Sequence, residues 1–248
     1  MSGQESESAK KPTPAGYVVG AVFLVFIIGG IFLALSSGEE DTGSAHISSS
    51  SGASNGLTPD DRTGTPYEAP AVTGDAEQVT GLAAAAKAAQ CVVREDLPDE
   101  GNNHLAPDEP VPDYGTVPPT SGDHINPPLQ QADGAWADPA AQVNVVHALE
   151  HGRVAIQYDP SLPEADQLEL KGLYDTVYSG SLLFPNQEMK PYTVAATSWR
   201  NLIGCPEWKG QKTLDAIRAF GAEHWDNSPE PMSWFPALDG PSFANPAA

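Results

Sequence analysis

Residues 16–35, GYVVGAVFLVFIIGGIFLAL, form a run of 20 residues without one charged side chain. No other feature constrains the organisation of the chain as strongly. As a helix rising 1.5 Å per residue the run would measure about 30 Å, the thickness of bilayer hydrocarbon. Lys10 and Lys11 precede it, and Glu39, Glu40 and Asp41 follow, a bias that places the N-terminus on the cytoplasmic side. The expectation is a single-pass cell-membrane protein. It would have a cytoplasmic tail over 1–15, a transmembrane helix over 16–36 with the lipid bilayer as partner, and its main domain outside the cytoplasm. A cleaved signal peptide is the alternative, but its apolar region would span about 7–15 residues, and Ala34-Leu35-Ser36 is a weak processing site.

Residues 37–74 hold much Ser, Gly and Asp and few large apolar side chains. Such a composition buries too little apolar surface to offset chain entropy, so a flexible, disordered linker containing His46 is expected. The extracytoplasmic domain then covers 75–240. Residues 75–90 are alanine-rich and favour a helix, with Asp75 and Gln78 placed to cap it. Residues 94–142, rich in Pro, Asp, Asn and Gly, show no clear period. Residues 143–152 predict a short helix closed by Gly152, 153–158 a strand, 166–178 a helix, 181–184 and 191–197 two strands, and 210–220 an amphipathic helix. After Trp225 an extended cover is expected, packed through Trp234 and Phe235. Twenty-four prolines and 23 glycines argue against an all-helical fold. The fold class is α+β, with a short, mainly antiparallel sheet.

Twelve basic against 33 acidic side chains give a formal net charge of −21. That field repels phosphate backbones, so nucleic acid is not an expected partner. It suits solubility or the attraction of cations.

Six histidines occur, at 46, 104, 124, 147, 151 and 224. On a helix His147 and His151, four apart, share a face and could converge on one metal ion; equally, either ring could hydrogen-bond buried carbonyls around the Gly-terminated turn. The stretch H-x-x-E-H also has the form of an inverted zinc-protease motif, but the helix is short for that scaffold. His124 follows Pro118-Pro119-Thr120-Ser121-Gly122-Asp123, a rigid presentation for one imidazole or a turn packed beneath the domain. Ser121 is a poor nucleophile candidate, because adjacency of Asp123 and His124 does not orient a triad. Outside the cytoplasm the pair Cys91 and Cys205 favours a disulfide, with free thiols or soft-metal ligation as alternatives.

At these residues the chain resembles the bacterial domain of unknown function DUF3105. The matching parts are Tyr114, Pro118-Pro119-Thr120-Ser121-Gly122-x-His124, Gly134-x-Trp136, and Val146-His147-x-Leu149-Glu150-His151-Gly152-Arg153-Val154-x-Ile156-x-Tyr158. Cys91 after an alanine-rich helix, His104, Trp199 and Pro229-Glu230 also fit the family's pattern. The resemblance covers roughly residues 80 to 235. It implies an extracytoplasmic, often membrane-tethered domain and supplies no catalytic reaction.

Three readings follow. The first is a metal-binding domain without turnover: His124, His147 and His151 would bind copper or zinc, with His104 as a fourth ligand and Glu150 or Asp123 orienting an imidazole. The second is a structural or interaction domain for an envelope or membrane-protein partner, with Trp199, Trp225 and Trp234 at an interface or in the core. The third is an enzyme, either metal-dependent or using Cys91 and Cys205 as thiols.

Overall fold

Alternation along the strands decides the layering. The computed structural model describes residues 54–69, 81–127, 129–177 and 180–231. Its elements are α1 (Leu82–Ala89), β1 (Val92–Arg94), β2 (His104–Leu105), β3 (His124–Ile125), β4 (Gly134–Ala135), α2 (Gln142–Glu150), β5 (Val154–Tyr158), α3 (Glu164–Val177), β6 (Ser181–Pro185), β7 (Val194–Ser198), β8 (Asn201–Cys205) and α4 (Gln211–His224). Val154 and Ile156 of β5 join Leu173, Ile217 and Phe220 in one core, with α1 packed into it. Ala155, between them, joins Leu182, Phe184, Val145 and Leu149 in a second core. Successive strand side chains point to opposite faces, so α1, α3 and α4 cover one side of the sheet and α2 the other. Both faces being covered, every residue of β5 to β8 is buried.

The sheet has six strands in the order β1-β8-β7-β5-β6-β4. The pairs β1–β8, β8–β7 and β7–β5 are antiparallel, whereas β5–β6 and β6–β4 are parallel. It is thus a mixed sheet and not the mainly antiparallel one expected, because α3 acts as a crossover that returns β6 parallel to β5. A separate parallel ribbon joins β2 to β3. Cys91, just after α1, is disulfide-bonded to Cys205 at the end of β8.

The expected membrane anchor is corrected. Among the described residues no helix is long and apolar enough to cross a membrane. The longest, α3 and α4, have 14 residues each, or about 21 Å of helix against about 30 Å of hydrocarbon. Residues 16–36, on which the expectation rested, lie outside the described residues. The described residues thus include no membrane-spanning helix to anchor the domain in a lipid bilayer. The transmembrane element of the fold class, the bilayer partner, the tethered function and the single-pass cell-membrane location therefore drop out of the reading.

Residues 54–69, read above as linker, pack on the domain. The Asp60 amide donates to the Ala135 carbonyl at 2.9 Å and the Thr65 amide to Leu168 at 2.8 Å. Tyr67 enters the first core, and its hydroxyl donates to Asp215 at 3.0 Å. Few apolar side chains suffice here because the segment adds Tyr67 to a core supplied mostly by other elements. Other expectations, namely His46, the Asp75 and Gln78 cap, and the cover through Trp234 and Phe235, fall outside the described residues.

Candidate metal centre

Two local structures bring imidazoles together. In the β2–β3 ribbon His104 stands directly opposite His124. The register is held by backbone bonds from Gly122 to Gly101 (3.1 Å), His124 to Asn103 (2.9 Å) and Asn126 to Leu105 (2.9 Å). Gly122 has φ +130°, and a Cβ there would lie 2.8 Å from the Tyr114 ring; only glycine fits this turn. Ser121 is spent on the same turn: its hydroxyl accepts from the Glu100 amide at 3.1 Å and donates to the Pro98 carbonyl at 3.3 Å. That excludes it as a free nucleophile.

Helix α2 supplies the other half. His147 and Glu150 are three apart and share a face, in the last turn, where the partial negative charge of the helix terminus favours a cation. The imidazole rings of His104, His124 and His147 have centroids 4.9, 5.1 and 4.9 Å apart. One ligand atom from each of His104, His124, His147 and Glu150 lies within 4.8 Å of the others. His124 is fully buried, and His147 and Glu150 are each 1 % exposed. A buried His/Glu cluster able to coordinate a divalent metal is thus present.

Its protonation is constrained by contacts. His124 Nδ1 lies 2.8 Å from the Gly122 carbonyl, so that nitrogen carries the hydrogen and donates. Nε2 then faces Glu150 Oε2 at 2.9 Å, and something positive, a proton or a metal ion, must lie between them. His104 Nε2 is 3.6 Å from the same oxygen. Burial works against ionising Glu150, but the His124 hydrogen bond and the charges of His124, His104 and His151 hold its carboxyl below the ordinary value. Burial, reinforced by the neighbouring His124, His151 and His104, pushes His147 down to about 3. It is therefore neutral at pH 7, the form that ligates metals. Both ring nitrogens of His147 are buried without a hydrogen bond among the described residues, an arrangement that leaves about 1–3 kcal/mol of desolvation per group uncompensated.

The other predicted residues fall elsewhere. His151 caps α2 at φ −89°, ψ 19°. The four-residue spacing keeps its ring beside that of His147, yet His151 is not one of the residues of the buried four-atom set. It joins Glu150 and Glu230 in a neighbouring group, its ring 5.0 Å from that of His147. This splits the H-x-x-E-H pattern between two clusters. Asp123 touches no imidazole; its carboxylate accepts from the amide and side chain of Asn103, both at 2.9 Å, and so steadies the ribbon beside His104. Cys91 and Cys205 are bonded to each other, which leaves no thiol pair for ligation or exchange. Trp199 is buried edge-on to His124, ring centroids 6.2 Å apart, and Trp225 packs against the first core. Glu150 enters the cluster directly, where sequence reasoning gave it a supporting role. The available signal was its three-residue spacing from His147, which puts both side chains on one face of α2.

No curated protein and no solved structure matches the chain. A family model described as "Protein of unknown function (DUF3105)" matches residues 104–233, more than half of the chain.

Proposed function

The chain belongs to the DUF3105 family, whose description names no activity, and on that premise we propose that it is a non-catalytic domain that binds a divalent metal ion through His104, His124, His147 and Glu150. The observation that carries this is the set of four ligand atoms within 4.8 Å of one another, three of them on side chains almost wholly buried. An ion there would give His147 the partner its ring nitrogens lack. It would also supply the positive centre between His124 and Glu150. Three imidazoles and one carboxylate suit copper(II) or zinc better than magnesium or calcium. Four protein ligands complete a tetrahedral shell without an open position, the pattern of a structural rather than a catalytic site. The ion would then fasten the β2–β3 ribbon to the end of α2.

The test is metal content by mass spectrometry on the full-length chain without a histidine tag, beside His147→Ala. Near-stoichiometric copper or zinc in the parent, lost in the variant while circular dichroism is unchanged, is the expected result. A parent that retains no metal after loading with either ion and buffer exchange removes this function.

A further inference from the structure

The Glu150 carboxylate belongs to two groups of ligand atoms. Besides the buried set, one ligand atom from each of Glu150, His151 and Glu230 lies within 4.8 Å of the other two. We propose that these three hold a second divalent cation, bridged to the first through Glu150, so that the protein carries a two-ion centre; this rests on the reading of the buried cluster given above.

The outer group is built, not a chance meeting of surface side chains. The Glu230 amide donates to the Glu150 carbonyl at 3.1 Å, and the Asp226 amide to the Gly152 carbonyl at 2.9 Å. His151 Nδ1 donates to the Glu230 carbonyl at 3.2 Å, which leaves Nε2 as the nitrogen that would take an ion. These bonds fasten residues 226–230 across the end of α2. Gly152 makes the approach possible: its φ is +83°, and a Cβ there would lie 2.7 Å from the Asp226 Cα. A carboxylate has two oxygens and is the usual bridge between ions about 3.5–4 Å apart. The two groups stand side by side, the rings of His147 and His151 being 5.0 Å apart.

Charge and exposure distinguish the two positions. The inner one has three imidazoles and is closed. The outer one has two carboxylates and one imidazole, an oxygen-rich set that suits zinc or the harder manganese(II), and the end of α2 adds partial negative charge. The Glu230 side chain is 58 % exposed and that of His151 17 %, so water completes the outer shell and the outer ion exchanges with solvent. The inner ion is held tightly and the outer one loosely.

The test is a zinc titration of the metal-free full-length chain followed by native mass spectrometry, with Glu230→Gln and His151→Ala beside the parent. Two successive binding events are expected in the parent. Each variant should keep the first event and weaken the second by about tenfold or more. A parent that binds one ion, unchanged in both variants, overturns the outer position and leaves the inner one standing. Loss of the tight ion in His151→Ala overturns the division into two positions. A parent that binds none overturns both, so the two failures are told apart. Glu230→Gln changes an exposed side chain and keeps its shape, which guards the result against misfolding.

Discussion

His147 shows how one side chain couples protonation to folding. Its ordinary value is 6.5, and burial with three neighbouring histidines lowers it to about 3 in the fold. Above pH 6.5 neither state holds the proton. As pH falls below 6.5 the unfolded chain takes up a proton that the folded chain refuses, so stability drops progressively until about pH 3. Thermal melts of the metal-free protein between pH 7 and 4.5 should slope downward, and His147→Leu should flatten that slope. Equal slopes would mean that His147 is protonated in the fold. The neighbouring carboxylate gives a second expectation: Glu150→Gln keeps the volume but removes the negative charge, and metal affinity should fall at least about tenfold in a zinc titration. At this scale the sequence identified His104, His124 and His147 as ligand candidates. It could not rank Glu150 above His151, because both spacings keep a side chain beside His147, and only the β2–β3 ribbon, distant in sequence, brings His124 to Glu150.

Among elements, the β2–β3 turn carries the sharpest expectation. Gly122→Ala puts a Cβ 2.8 Å from the Tyr114 ring at a φ of +130°, which should destabilise the fold by about 1–3 kcal/mol. It should also shift His124 and weaken zinc binding, both readable by urea denaturation and titration of the same preparation. Legibility differed among elements for plain reasons. Strand β5 and helices α3 and α4 were foreseen because their apolar spacing is regular over a whole element. Strand β8 was not, since the two-residue turn before it is Trp199-Arg200, with Arg200 at φ +62°, a conformation that usually advertises itself with Gly or Asn. The two-residue strands β2, β3 and β4 are too short for any period to register. Residues 54–69 read as linker because their few apolar side chains serve a core made by others.

For the whole molecule, the disulfide and the proposed ions act at different places. The bridge from Cys91 to Cys205 closes a sequence separation of 114 residues and ties the end of α1 to β8, the strand beside the edge strand β1. Replacing both cysteines by Ala should lower stability by about 2–5 kcal/mol in denaturant titrations, with metal content unchanged because neither sulfur is a ligand. The reverse holds for chelation, which should lower the melting temperature and deprotect the β2–β3 ribbon in hydrogen exchange while leaving β5 to β8 protected. The general α+β class was readable from composition and period; the mixed sheet was not, since strand order is set by which face α3 crosses. The ribbon has one more consequence. A ladder only two residues long holds it, and the His104 side chain, 35 % exposed, is the outermost of the buried ligand set. An ion held behind that ring would escape when the ribbon breathes, not when the domain melts, because local openings of this kind lie far below global unfolding in free energy. The residence time of an isotopically labelled ion should therefore be nearly indifferent to loss of the disulfide, yet shorten sharply in Gly122→Ala.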